Sequence, residues 1–199
     1  ELCSNLGSTC ELDTASANQR VFCPCQKGYF GIGSGVKRDC KLCSAGKWSN
    51  QVGLTSDNDC TSCTGGRYSN SGEAQTSISV CKACVGGRYS TSGSAQTSFD
   101  VCIACVAGRY STAGDSQTSV AVCDNKCSSG KWSDKVGLAS DTCTSCVGGR
   151  YSISGEAQTS ISVCIDCSPG TYSNAGAAQA SPTVCIKCIG GTYSDSGAG

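Results

Sequence analysis

The chain has 199 residues, of which 15 are basic and 15 acidic, so it carries no net charge at pH 7. A neutral chain gives no reason to expect a nucleic-acid partner, since nucleic-acid binding favours a basic surface. Leu, Ile, Val and Phe together number only 30, whereas Cys alone numbers 20. This composition excludes an ordinary hydrophobic core and predicts a disulfide scaffold in an oxidising compartment.

The first 42 residues differ from the remainder of the chain. The stretch "CPCQKGYFG" at 23–31, followed by Cys40, resembles the end of an EGF-like module. The resemblance implies a Cys25–Cys40 bridge and a second bridge between Cys10 and Cys23, and it leaves Cys3 unpaired. We therefore expect an EGF-like N-terminal cap over residues 1–42.

Residues 43–199 form a tandem array of about eight cysteine-rich repeats of about 21 residues, the last of them incomplete. Each C-x-x-C pair is followed by Gly-x-Tyr/Trp-Ser. The aromatic residues of this motif, which we expect to stack one repeat on the next, are Trp48, Tyr68, Tyr89, Tyr110, Trp132, Tyr151, Tyr172 and Tyr193. The stretches at 46–54 and 130–138 share "GKWS" and "VGL", so four short repeats form a larger unit of about 84 residues.

Within a repeat, "GRYS" and "SISVC" contain strand-forming residues and are separated by Ser and Gly. We expect two short strands per repeat, and no helix, because no 3.6-residue periodicity occurs. The glycines before the basic-aromatic pair are expected to have positive φ; they are Gly66, Gly87, Gly108 and Gly149. The predicted fold is small and disulfide-rich, mostly irregular with short β-hairpins, and arranged as an elongated rod.

The cysteines admit two pairing schemes. A ladder joins the second Cys of one pair to the first Cys of the next; a crossed scheme joins first to first and second to second. The ladder bridges are Cys43–Cys60, Cys63–Cys81, Cys84–Cys102, Cys105–Cys123, Cys127–Cys143, Cys146–Cys164 and Cys167–Cys185. It leaves Cys188 without a mate, so Cys188 and Cys3 are candidates for a head-to-tail bond between copies of the chain.

Other chemistries fit the residues less well. The C-x-x-C spacing matches a four-cysteine zinc site, but each pair would be shared between two overlapping sites. Redox catalysis by C-x-x-C needs a single motif at a helix start. The chain has no His, which removes the commonest general base. We therefore assign no catalytic, cofactor-binding or metal-binding residue.

A basic residue precedes most of the repeat aromatics and has two interpretations. These residues form either a ladder of cationic ligand sites or a set of cations that stack on the rings of the next repeat. We favour stacking. The residues are Lys47, Arg67, Arg88, Arg109, Lys131 and Arg150.

The motif C-x-x-C-x-x-G-x-Tyr-Ser, with a later Gly and a second C-x-x-C, resembles the ephrin-receptor-like cysteine-rich repeat over residues 40–199. The resemblance implies extracellular modules without enzyme activity. We expect a secreted or cell-surface structural protein that self-associates in a filament, flagellar hair or matrix. The alternatives are the ectodomain stalk of an adhesin or receptor, and a protective surface antigen.

Features outside the motifs agree with that environment. No Met occurs and residue 1 is Glu, so we expect a mature secreted chain. No apolar run is long enough to span a membrane. Ser and Thr number 49, which leaves O-linked glycosylation open, as it leaves open other extracellular proteins or glycans as partners.

Overall fold

A computed structural model describes residues 24–33 and 39–190, together with the backbone of two strands at Glu11–Leu12 and Val21–Phe22. Contacts divide the chain into two compact units, one of residues 1–84 and 90–102, the other of residues 85–89 and 103–199. Four predicted site residues, Cys3, Cys10, Cys23 and Tyr193, lie outside the described residues.

Each sheet in the described residues is a two-stranded antiparallel hairpin. The hairpins are β1 (Glu11–Leu12) with β2 (Val21–Phe22), β3 (Tyr29–Ile32) with β4 (Asp39–Leu42), β5 (Lys47–Trp48) with β6 (Thr61–Ser62), β7 (Arg67–Tyr68) with β8 (Lys82–Ala83), β9 (Arg88–Tyr89) with β10 (Ile103–Ala104), β11 (Arg109–Tyr110) with β12 (Asn125–Lys126), β13 (Lys131–Trp132) with β14 (Thr144–Ser145), β15 (Arg150–Tyr151) with β16 (Ile165–Asp166), and β17 (Thr171–Tyr172) with β18 (Ile186–Lys187).

The first predicted strand of each repeat is correct and the second is misplaced. The basic-aromatic pair forms one strand, but its partner is the pair of residues inside the following C-x-x-C motif, as in Arg67 opposite Ala83 and Tyr68 opposite Lys82. The "SISVC" stretch forms a short 3-10 helix instead. The helix forms because of Ser77, the first residue of this stretch. Its hydroxyl accepts the Ser79 N–H, and this side-chain cap favours a turn over a strand.

Such 3-10 helices recur in most repeats and were not predicted. They are Asp57–Asp59, Ile78–Val80, Phe99–Val101, Val120–Cys123, Ile161–Val163 and Pro182–Val184. Each begins after a serine whose side chain accepts a backbone N–H two residues on. In the part of the chain that the structure describes, no helix is long and apolar enough to cross a bilayer.

The interior consists of cystine and serine rather than aliphatic side chains. The buried apolar residues of the described chain are half-cystines and Leu54, which packs with Phe30 against the Cys43–Cys60 bridge. The serine that follows each repeat aromatic from Trp48 to Tyr151 is also buried; Ser69 and Ser111 are 0% exposed. Sulfur therefore provides both the covalent closure and most of the buried apolar surface of each repeat.

A loop with a left-handed residue links the aromatic strand to the 3-10 helix. Five non-glycine residues have φ between 57° and 61°, a conformation costly for L-amino acids. They are Ala74, Ala95, Ser116, Ala157 and Ala178. Glycine takes this place in the two Trp-containing repeats, as Gly53 and Gly137. The predicted positive φ of Gly66, Gly87, Gly108 and Gly149 is confirmed, at 76° to 84°.

Candidate functional site: the contacts between repeats

The described chain contains eight disulfides, each of which closes one repeat. They join the pairs of the ladder scheme, together with Cys25–Cys40. The two cysteines of a bridge are 15 to 18 residues apart in sequence, and their Cα atoms are 5.4 to 5.9 Å apart. Cys188 is half-exposed and has no partner in the described residues. We name each repeat by the cysteine that begins it; the Cys63 repeat thus runs from Cys63 to Ala83.

The aromatic strand of each repeat pairs with the loop of the next repeat. A parallel β-bridge joins the aromatic residue to a Gln or Leu about 27 positions later in the chain. The bridges are Phe30–Leu54, Trp48–Gln75, Tyr68–Gln96, Tyr89–Gln117, Tyr110–Leu138, Trp132–Gln158 and Tyr151–Gln179. Successive repeats are therefore joined through backbone atoms, which every sequence variant of the repeat possesses.

Two backbone hydrogen bonds flank six of these seven bridges. In the Cys43 repeat, the Ser49 N–H donates to the Gln75 carbonyl at 2.9 Å, and the Ala74 N–H donates to the Cys43 carbonyl at 3.0 Å. Equivalent bonds occur in the second unit, for example from Ala157 to Cys127 at 2.8 Å. The left-handed residue thus places its N–H against the half-cystine of the preceding repeat.

The left-handed residue of the loop also contacts the repeat two places earlier in the array. In five cases the carbonyl of this residue lies over the glycine that precedes the aromatic strand two repeats earlier. A Cβ atom on that glycine would lie only 2.5 to 2.8 Å from the carbonyl carbon. The close pairs are Gly28 with Ala74, Gly46 with Ala95, Gly87 with Gly137, Gly108 with Ala157, and Gly130 with Ala178. Glycine is required here for contact between repeats as well as for its φ.

These contacts extend into the segment predicted to be an EGF-like cap. Phe30 forms the bridge to Leu54, the Gly53 N–H donates to the Cys25 carbonyl at 2.7 Å, and Gly28 lies against Ala74. The residues from Cys25 onward therefore have the repeat geometry, one repeat earlier than the predicted start of the array at residue 43.

The predicted stacking aromatics contact the next repeat mainly through their backbone. Trp48, Tyr68, Tyr89, Tyr110, Trp132 and Tyr151 are half-buried, and Tyr172 is 46% exposed. One ring contact crosses repeats within the first unit: Tyr68 meets Phe99 edge-on, with 5.7 Å between ring centroids. Such a pair contributes about 0.5–1.5 kcal/mol beyond the area it buries.

The basic residues do not follow the favoured stacking interpretation. Among the described residues, five of the six contact oxygen atoms rather than rings. Four pair with carboxylates: Lys47 with Asp57, Arg109 with Asp124, Lys131 with Asp141, and Arg150 with Asp166. Arg67 and Arg109 donate to the carbonyls of Cys81 and Cys123, at 3.1 and 3.3 Å. Except for the Arg150–Asp166 pair, these contacts reach the disulfide or the turn beside it, and all of them lie within one repeat.

Two aspartates stabilise the turn of the Cys43 repeat. Burial raises the pKa of the Asp57 carboxyl, but hydrogen bonds from Lys47 and from the Ser44 N–H outweigh it, so that the pKa falls below its ordinary value. The Thr55 N–H and hydroxyl and the Ser56 N–H, at 2.9 to 3.0 Å, likewise lower the pKa of Asp59. Both aspartates are therefore charged at neutral pH.

Sequence reasoning missed two sets of structural side chains. The buried serine accepts the N–H two residues on, as from Ala113 to Ser111 at 3.2 Å. The glutamine of the loop donates to two carbonyls of its own loop, as from Gln75 to Ser71 and Glu73 at 2.8 and 2.9 Å. The recurrence of Ser after the aromatic residue, and of Ala-Gln or Ser-Gln in the loop, was the available signal.

Within the described ranges, no three His, Cys, Asp or Glu side chains are grouped as a metal site requires. Comparison of the chain with protein-family models and with curated protein sequences finds no match. The function proposed below therefore depends on the residues and on the geometry of the repeats.

Proposed function

We propose that the chain is an extracellular structural protein that forms or decorates a cell-surface filament, a flagellar hair or a matrix. One observation carries the proposal: each described repeat is closed by its own disulfide, seven of these repeats are joined to the next by a backbone β-bridge, and five also contact the repeat after that. This arrangement can be extended by duplication without redesign of any side-chain interface.

The disulfides also support the proposed location. Eight bridges in the described residues require an oxidising environment to form and persist. A covalently closed loop of about 18 residues is stabilised by roughly 3 kcal/mol through restriction of the unfolded chain. Such stability suits a protein that must last outside the cell.

Self-association is part of the proposal. Cys188 is half-exposed and without a partner in the described residues, and Cys3 is left over when the remaining cysteines are paired. We propose that these two cysteines bond copies of the chain head to tail.

The decisive experiment is electron microscopy of the secreted, oxidised protein together with non-reducing gel electrophoresis. We expect uniform filaments and a ladder of oligomers that reduction collapses to one band. The Cys188→Ser variant should give monomers, whereas a surface control, Ser128→Ala, should leave the ladder intact. Isolated particles and a single non-reduced band from the unaltered chain would contradict the filament and favour the stalk or antigen alternatives.

A further inference from the structure

An open groove of about 470 Å³ lies where the Cys43 and Cys63 repeats meet, inside the first compact unit. This volume is within the range of about 300–1,000 Å³ that is typical of small-ligand sites. Trp48, Ile78 and the Cys63–Cys81 bridge form its apolar part, and Arg67 is its charged residue. Thr61 and Thr64 contribute hydroxyl groups.

The polar groups of the groove are available to a ligand. Thr61 and Thr64 are exposed, and no hydrogen bond within the described residues occupies their hydroxyls. Trp48 is half-buried and offers a flat apolar surface. An aromatic face beside hydroxyl groups is complementary to a pyranose ring, whose faces carry C–H groups and whose edge carries hydroxyls.

The charge in the groove favours an anionic ligand. Arg67 uses one N–H for the Cys81 carbonyl, and in the described residues it has no carboxylate partner. Its cross-strand neighbour is Ala83. In the second copy of the larger unit the cross-strand neighbour of Arg150 is Asp166, and these two residues form an ion pair. A guanidinium without a carboxylate partner is well suited to bind one from a ligand.

We propose that this groove binds a uronic acid residue of an acidic polysaccharide. The C–H face of the sugar packs on Trp48, its hydroxyls exchange hydrogen bonds with Thr61 and Thr64, and its carboxylate pairs with Arg67. The corresponding place in the second larger unit does not bind, because Asp166 already neutralises Arg150 and Val147 replaces Thr64. The proposal adds a glycan-binding function to the structural one and does not depend on filament formation.

Tryptophan fluorescence provides the test, because the chain has two tryptophans. In the Trp132→Phe protein, Trp48 is the reporter. Titration with methyl glucuronide should change its emission saturably, and the neutral methyl glucoside should bind about tenfold more weakly, since it lacks the charged hydrogen bond to Arg67. No saturable change, or equal affinity for both sugars, would overturn the proposal.

The chain supplies its own matched variants, made in the Trp132→Phe background. Ala83→Asp places a carboxylate opposite Arg67, as in the natural Arg150–Asp166 pair, and should remove the preference for the glucuronide while the circular dichroism spectrum stays unchanged. Arg67→Gln should have the same effect by removing the cation, so the conclusion does not depend on one variant. Retention of the preference in either folded variant would refute the role of Arg67.

Discussion

Substitution of Gly46 by alanine tests the contact between repeats that are two apart. The added Cβ would lie 2.6 Å from the carbonyl carbon of Ala95. That carbonyl cannot easily move, because the Ala95 N–H is bonded to the Cys63 carbonyl at 2.8 Å. Gly72 is the matched control: its φ of 78° is close to the 80° of Gly46, but a Cβ there would meet nothing within 4 Å.

The two variants share one energetic term and differ in the other. Alanine with positive φ costs about 1–2 kcal/mol in each. Only Gly46→Ala adds a clash with backbone, for which overpacking suggests about 1–3 kcal/mol more. A further 1.4 kcal/mol corresponds to a tenfold change in an opening equilibrium. Native-state hydrogen exchange with the disulfides intact should therefore show the Ala95 amide exchanging about 5- to 140-fold faster in Gly46→Ala than in Gly72→Ala. Equal exchange rates in the two variants would refute the requirement for glycine in this contact.

Three further variants test the interior of the repeat, each by exchange of the amides in its own repeat. Ala157→Gly should slow exchange by up to about fivefold, since release of left-handed strain outweighs the added freedom of the unfolded chain; faster exchange would argue against strain at this position. Ser111→Ala removes the buried hydroxyl that accepts the Ala113 N–H and should cost about 1 kcal/mol, whereas the exposed neighbour substitution Thr112→Ala should change stability by less than about 0.5 kcal/mol. The folded pKa of Asp57 is lower than its unfolded value, so its pair with Lys47 stabilises the fold above about pH 4 and is lost as the pH falls further. Asp57→Asn should weaken that acid-dependent opening and leave the part that depends on Asp59, and the same pH profile in variant and parent would contradict it.

The even spacing of the cysteines limited the disulfides to a ladder or a crossed scheme, and the structure selects the ladder, in which each bridge closes a loop within one repeat. The positions of the positive-φ glycines followed from the sequence, since Gly66 and its equivalents stand before a strand where only a turn fits. Both features depend on residues close together in the chain, so local physical rules apply to them.

Sequence reasoning missed features in which a side-chain hydrogen bond overrides strand propensity, and features that depend on contacts between residues far apart in the chain. Ile78 and Val80 have strand propensity, but the hydroxyl of Ser77 captures a backbone N–H and stabilises a 3-10 helix. The fit of Gly46 against Ala95 depends on how repeats are rotated against each other, which a period of 21 residues does not specify. The contact of Arg67 with its own repeat depends on a carbonyl, which every residue possesses and no sequence pattern marks.

The closure of every described bridge within one repeat has a mechanical consequence. Under tension, an oxidised repeat transmits force through its cystine, whose Cα atoms are 5.4 Å apart in Cys63–Cys81. The chain segment between the two cysteines, which are 18 positions apart, then carries no load. Reduction would release about 60 Å of contour per repeat at roughly 3.3–3.6 Å per residue. The redox state therefore sets how far each repeat can be extended under load.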